Sequence, residues 1–339
     1  MPLLTLCMPS NRNLEGSRPA IEKALAYCEA RNAQFVISDN SGDPDKEKFW
    51  RDRSPLIRYL TSEGTDAVTN FLAAVSAADT PFILQIGDDD GISVDPAVPA
   101  FNLATLPDDF MGVRVKTLVE ITGHGLVRTK AFSIDAMTPG ERIVEYSQKA
   151  GGDNSAFYSI FRREPYLNLM KLFTEQHPTK GGFSDWAMSL ALFSYGRMAY
   201  DPGTIYHYNA DQWAGQERVE KKNLELFAAA GLPPHTTLFQ PLLMALDVFV
   251  FVGRPGTPLS RDEALNAISM ASGGVLDGFL GTVTRAPDQY SETVRYLVDL
   301  AREEKDAFAR FQLALMMADQ LKPGLKDGYV AFYRAANGL

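Results

Sequence analysis

Over residues 1–100, short unbroken apolar runs alternate with stretches of helical periodicity. Leu3–Met8, Phe35-Val36-Ile37, Ile57–Leu60 and Phe82–Ile86 read as four strands. Between the first two, Ile21, Leu25 and Cys28 recur at i, i+4 and i+7, the apolar stripe of one helix face. Ser17 followed by Pro19 predicts that helix's start, and Thr65 or Asp66 is placed to cap a second helix running to Ala78. Continuous apolar strands separated by amphipathic helices imply an α/β fold, a mostly parallel sheet with both faces covered. In such sheets ligands bind at the carboxyl ends of the strands. Polar residues cluster just after strands one, two and four, so three strand ends point to one crevice.

Residues 101–215 mix strands and loops, with strands predicted at Phe110–Val115, Lys130–Ile134 and Ala156–Phe161 and a helix near Asp185–Ser194. From Gln216 onward the pattern is helical, with Leu297, Leu300, Ala301, Phe308, Phe311, Leu313 and Leu315 as core-facing positions. The expected domains are 1–215, divided into a ligand-binding half at 1–100 and a second half at 101–215, and a helical region at 216–339. Phe239–Val252 is the most apolar stretch, short for a membrane span and interrupted by Asp247. It reads as a buried helix, with an oligomer- or membrane-facing surface as the alternative.

Composition narrows the function. The 33 Lys and Arg residues are outnumbered by 42 Asp and Glu, a formal net charge of −9. No run of five basic residues occurs, so no nucleic-acid partner is expected. Two cysteines, Cys7 and Cys28, are too few for a disulfide framework or a Cys-rich zinc site. No basic region with a cleavage site opens the chain, so the expected location is cytoplasmic, with peripheral attachment at the inner face of a membrane as a variant. The signatures of P-loop, Rossmann, zincin and α/β-hydrolase chemistry are absent from the sequence.

Asp88-Asp89-Asp90 is the sharpest local signal. Three adjacent carboxylates repel one another unless a cation offsets them, and hard oxygens of this kind suit Mg²⁺ or Mn²⁺ held jointly with phosphates. The competing reading is a solvated acidic turn. Asp39, in Ser38-Asp39-Asn40-Ser41-Gly42, could accept hydrogen bonds from a base or ribose, or could form an Asx-turn. Pro9-Ser10-Asn11-Arg12 could shape a nucleotide-binding loop with Arg12 near phosphate, or be a plain strand-to-helix turn. Asn70 could be a surface polar residue, Asp185 a helix cap, and His207 a core histidine held between Tyr206 and Tyr208.

The order of these features resembles the family-2 glycosyltransferases, nucleotide-sugar enzymes of the GT-A fold. The likeness runs from strand–Pro9-Ser10-Asn11-Arg12 through strand–Ser38-Asp39-Asn40-Ser41-Gly42, then Glu63-Gly64 with Asn70, to Ile86-Gly87-Asp88-Asp89-Asp90. It continues through Gly182-Phe183-Ser184-Asp185-Trp186 and Tyr200-Asp201-Pro202 to Tyr206-His207-Tyr208, and covers roughly residues 1–215. The resemblance implies a metal-dependent inverting transferase of hexosyl type. It would move sugar from a nucleoside-diphosphate sugar to a glycan, lipid-linked or small-molecule acceptor hydroxyl. Pro9, Ser10, Asn11, Arg12, Asp39, Asn40, Gly64, Asn70, Gly87, Asp88 and Asp89 would line the donor site, Asp39 contacting the base. Asp88 and Asp90 fall at the Asp-x-Asp positions as ligands of Mn²⁺ or Mg²⁺, with His207 as a looser metal match. Asp185 takes the general-base position, although Ser184 stands where the family commonly has Glu. Asn154 and Trp186 would lie on the acceptor side. The helical remainder lies outside the resemblance and could serve homo-oligomer formation, and the alternative for the whole chain is a non-catalytic GT-A-like domain with a helical assembly module.

Overall fold

The computed structural model describes residues 1–339 apart from 181–183, together with no side chain at 184 or 272. The Gly182-Phe183 portion of the resemblance therefore lies outside the described residues. In chain order come β1 (Leu4–Ser10), α1 (Leu14–Arg31), β2 (Gln34–Asp39), α2 (Pro44–Trp50), β3 (Ile57–Thr61), α3 (Ala67–Ala77), β4 (Phe82–Gln85) and β5 (Gly91–Val94). There follow β6 (Phe110–Ile121), β7 (Gly125–Lys130), α4 (Pro139–Ala150), β8 (Ile160–Arg162), α5 (Arg163–Gln176), α6 (Ser184–Tyr195) and β9 (Arg197–Asn209). The chain ends in α7 (Gln216–Ala229), α8 (Gln240–Gly253), α9 (Arg261–Ala271), α10 (Asp277–Arg285), α11 (Glu292–Glu303), α12 (Ala307–Leu321) and α13 (Leu325–Ala336).

The described strands form a nine-stranded sheet in the order β3-β2-β1-β4-β8-β6-β9-β5, with β7 paired to β6. The fold class is α/β, as the alternation of apolar runs and helical stripes predicts. The first four strands are parallel. Beyond β4 the sheet is mixed: β8 runs antiparallel to β4 and β6, β7 to β6 and β5 to β9, while β6 and β9 are parallel. The expectation of a mostly parallel sheet thus holds for half of it. Of these antiparallel pairs β6–β7 is a hairpin, whereas β4–β8, β6–β8 and β5–β9 bring together strands far apart in the chain. Register sets the strand ends level, with Ser10 opposite Asp39 and Asp39 opposite Thr61. Leu6, Met8, Phe35, Ile37, Leu84 and Ile86 are buried in one cluster against α1, whose Ile21, Ala24 and Cys28 close it. Both cysteines are buried free thiols, as expected of small core residues.

Local signals explain the helix starts. Asp66 caps α3, its side chain accepting from Thr69 N. For α1 the cap is Asn13 rather than Ser17: Asn13 Oδ1 accepts from Gly16 N at 2.9 Å, and Ser17 sits in the first turn with its hydroxyl on Asn13 O. Pro19 consequently lies inside the helix. Gly64, at φ +75°, supplies the left-handed position of the turn between β3 and α3.

The chain divides into two compact units that do not follow the linear boundary at 215/216. One comprises Met1–Asp135, Ser155–Thr174 and Arg197–Ala214; the other Ala136–Asn154, Glu175–Gly196 and Gly215–Leu339. The last crossing falls between Ala214 and Gly215, and α4 and α6 belong with the C-terminal helices. Their reason is packing: α4 lies on α9, and α6 on α8. α8 is the centre of this helical unit, buried from Leu242 to Val252 apart from Met244 and packed also against α9, α12 and α13. Pro234–Gly253 is long and apolar enough to cross a membrane, and 67% of its apolar window is buried inside the protein. Two of the expected core positions are exposed instead: Leu300 at 37%, because α11 buries its Val294–Leu297–Val298–Ala301 face, and Phe308 at 44%, because α12 buries the face of Phe311, Ala314, Leu315 and Ala318.

Candidate functional site

The sheet unit builds its cluster where β1, β2 and β4 end. Asp88 Oδ2 accepts from Ser10 Oγ at 2.7 Å and from the backbone N–H groups of Asn11 and Arg12, both at 3.1 Å. A carboxylate from beyond β4 thereby clamps the loop that follows β1. Arg12, half-exposed, reaches over the same group, with Nε 3.4 Å from Asp88 Oδ1 and Nη2 2.8 Å from Asp89 Oδ2. A side chain at Gly87 would displace the acids, since a Cβ would lie 2.9 Å from Asp90 Oδ2 and 3.0 Å from Asp89 Oδ1.

Beneath the loop lies a buried ionic network. Lys46 on α2 has no exposed side-chain surface, and its ammonium donates to Ser10 Oγ, Arg12 O and Asp39 Oδ1, each at 2.7 Å. Asp39 Oδ2 accepts from Tyr59 OH at 2.6 Å, and its Oδ1 also from Ser41 N at 3.1 Å, the Asx-turn. Charge-assisted bonds of this density offset the desolvation of the pair. Ser10 passes the connection on by accepting from Lys46 and donating to Asp88. Asn70 is buried, not a surface residue, and its Oδ1 accepts from Ser62 Oγ at 2.6 Å. Asn40 Nδ2 donates to Thr65 O at 3.0 Å, while its Oδ1 is buried without a partner.

Asp90 is the most strongly conditioned of the three acids. It is buried, with Oδ2 accepting from Tyr206 OH at 2.6 Å and Oδ1 from Asn209 N at 2.8 Å. Burial pushes its carboxyl up to about 6, against these two donors, which hold it down. Burial also raises Asp89, opposed by Arg12. The three acids, Arg12, His207 and Asn209 line one pocket of about 440 Å³, together with the β6–β7 turn. Pro9, Ser10, Asn11, Asp39, Asn40, Gly64, Asn70 and Gly87 are not among its lining residues. The expected donor-site residues therefore divide into a pocket wall and a supporting layer.

Among the described residues no three His, Cys, Asp or Glu side chains converge as a ready cation cage. The expected set of Asp88, Asp90 and His207 is separated by bonds already made. Asp88 faces the loop after β1, and the His207 ring is held between Glu120 Oε1, 3.2 Å from Nδ1, and Ser93 Oγ, 3.1 Å from Nε2. What remains fits a cation that brings most of its own ligands. Each Asp90 oxygen meets one donor in these bonds, and Mg²⁺-like ions commonly take one or two carboxylates with phosphate oxygens and water.

The helical unit carries a second cluster. Asp185, in the first turn of α6, is half-buried, and its Oδ2 accepts from Asn154 Nδ2 at 2.9 Å. Asn154 Oδ1 accepts from Ser189 Oγ at 2.9 Å and from Tyr146 OH. Burial raises the Asp185 carboxyl, and the bond from Asn154 and the backbone amides of Trp186 and Asp185 oppose it. Trp186 is half-buried with its ring 6.4 Å from that of Tyr146. Further inside, His177 Nε2 lies 2.8 Å from Asp247 Oδ1, which also accepts from Tyr329 OH at 2.9 Å.

Lys46, Tyr59, Tyr206 and Tyr146 were not among the residues expected from sequence. Lys46 stands in Pro44-Asp45-Lys46-Glu47-Lys48, which looks like a solvated charged turn, and no spacing rule ties it to Asp39 on another element. No motif marks the hydroxyl roles of Tyr206 and Tyr146: the Tyr206 hydroxyl bonds Asp90, 116 positions away, and the Tyr146 hydroxyl bonds Asn154, eight positions on but beyond the end of its own helix.

No protein-family model matches the chain, and no curated protein matches it. Among solved structures it is similar to S. aureus TarS 1-349 in complex with UDP-GlcNAc, at 13% identity and TM-score 0.48, covering 100% of this chain and 91% of that one. It is likewise similar to S. aureus TarS 1-349 in complex with UDP, at 11% and 0.46, covering 100% and 90%. The mannosyltransferase PcManGT from Pyrobaculum calidifontis, in complex with GDP-Man and Mn²⁺, follows at 13% and 0.40, covering 98% and 86%. These likenesses are distant, and the site is read from its own residues.

Proposed function

We propose that the protein is a metal-assisted glycosyltransferase that moves a sugar from a nucleoside-diphosphate donor to an acceptor hydroxyl with inversion. The carrying observation is the Asp88-Asp89-Asp90 cluster at the carboxyl end of β4, lining a pocket of about 440 Å³ with Arg12. Carboxylates held in partly desolvated surroundings beside a guanidinium suit a diphosphate that arrives with a divalent cation. Asp90 would hold Mn²⁺ or Mg²⁺, which when bound offsets the negative charge building on the departing diphosphate. Arg12 adds a second positive charge toward the phosphates. Asp88 keeps the loop after β1 in place, and the Lys46–Asp39 pair stiffens it from below.

Asp185 is the proposed general base. It takes the proton of the acceptor hydroxyl as that oxygen attacks the anomeric carbon from the face opposite the leaving group. A carboxyl raised by burial is a better base near neutral pH than a solvated one, and general-base assistance is typically worth about 10²–10⁴-fold. The test is turnover of UDP- and GDP-sugars with Mn²⁺. Release of the nucleoside diphosphate, lost in Asp185→Asn, supports the reading. No release from any of these donors, with or without metal, refutes it.

A further inference from the structure

We infer that Asn154 is the positioning residue for Asp185, its amide locked by Tyr146 and Ser189 so that its NH₂ group faces the carboxylate. The inference rests on Asp185 being the base of the proposed transfer, but its central observable does not require turnover. The sequence resemblance places Asn154 on the acceptor side; its bonds give it a role toward Asp185. A carboxylate can only accept, so the amide edge facing Asp185 at 2.9 Å must be Nδ2 and not Oδ1. The reversed amide would set oxygen against oxygen. Oδ1 is then left for the two hydroxyls, Ser189 Oγ at 2.9 Å and Tyr146 OH, which occupy both of its lone pairs.

The clamps are themselves fixed. Ser189 lies four residues after Asp185, one turn along α6. Tyr146 on α4 is fully buried, with its ring 4.4 Å from that of Phe193 on α6. Asn154 therefore ties α4 to the first turn of α6 and fixes one oxygen of the carboxylate. Among the described residues of this unit, the groups acting on Asp185 are Asn154 and the backbone N–H groups of Asp185 and Trp186, none of them charged. Tyr146 is the titratable member of the network, and it bonds the amide rather than the carboxylate. A bond made to the charged form holds a carboxyl down, so its removal must raise the Asp185 pKa.

The experiment is a ¹³C carboxyl titration of aspartate-labelled protein, with the Asp185 signal assigned by its loss in Asp185→Asn. Asn154→Ala is expected to raise the Asp185 midpoint by about one unit, the scale of one hydrogen bond to a charged group. Asn154→Asp, close to isosteric, is expected to raise it further by placing a like charge against it, and it carries the test if the alanine variant does not fold. In turnover, the acid limb of kcat should move with the midpoint while donor KM changes less than about twofold, since kcat and KM report different steps. A midpoint unchanged in both folded variants overturns the inference. A shifted midpoint in a protein without turnover upholds the positioning and refutes the transferase reading, so the two failures are distinguishable.

Discussion

Tyr206 OH donates to Asp90 Oδ2 at 2.6 Å, joining β9 to the strand end after β4 across 116 positions of sequence. The bond is made to a carboxyl that burial has pushed up to about 6, and it holds that carboxyl toward its charged form. Tyr206→Phe removes the donor without removing the ring. The midpoint of the acid loss of Mn²⁺-dependent nucleoside-diphosphate binding is then expected to move upward by about one pH unit, on the scale of one charge-assisted bond. Calorimetric titrations at several pH values would show it, and an unmoved midpoint would remove Asp90 from the binding step.

Asp90 also has a signature in stability. Its folded-state pKa of about 6 exceeds the unfolded value of 3.8, so the folded protein binds this proton more tightly. The associated stability is present below pH 3.8 and is lost as pH rises through about 6. The loss from this group amounts to about 3 kcal/mol at most, at 1.36 kcal/mol per unit. Urea unfolding of the metal-free protein between pH 4 and 7 should reveal the decline. Asp90→Asn should flatten it, and Mn²⁺ with nucleoside diphosphate should offset it.

The Lys46–Asp39 pair is expected to behave as a buried ion pair whose halves cannot be separated cheaply. Lys46→Met leaves the buried Asp39 carboxylate with Tyr59 OH and Ser41 N as its remaining donors among the described residues, and it removes the donor to Arg12 O. Breaking such a pair typically costs about 3–5 kcal/mol. Chemical unfolding of the single variants and of a doubly apolar variant, Lys46→Met with Asp39→Leu, measures the coupling. A double variant less destabilised than the sum of the singles is the expected result.

Much of the sheet unit was legible before any coordinates. Leu3–Met8, Phe35–Ile37, Ile57–Leu60 and Phe82–Ile86 are mostly apolar because both faces of those strands are covered, and each run overlaps an observed strand with ends that differ by at most two residues. The acid cluster after β4 stood out for the same reason, as charge abutting a core strand. β9 was not legible as a strand: Asp201-Pro202-Gly203 interrupts it, and its apolar positions do not form a run. The assignment of α4 and α6 to the helical unit was hidden because it depends on contacts with α8 and α9, far along the chain. The chemical roles behaved alike. Asp39 as an Asx-turn is a local property that the sequence offers beside a base or ribose contact, whereas its partner Lys46 lies on another element. Asn154 and Asp185 are 31 positions apart, and no spacing rule connects a loop amide to a carboxylate at a helix start.

The central claim is that Asp90 and its neighbours capture a nucleoside diphosphate together with a divalent cation. Isothermal calorimetry of UDP and GDP against the protein, with and without Mn²⁺, and against Asp90→Ala, addresses it most directly. The account predicts that one of the two nucleotides binds at least about tenfold more tightly with Mn²⁺, a difference of about 1.4 kcal/mol, and that Asp90→Ala abolishes this gain while the protein stays folded. Binding that is equal with and without the metal, or a gain that persists in Asp90→Ala, would contradict it.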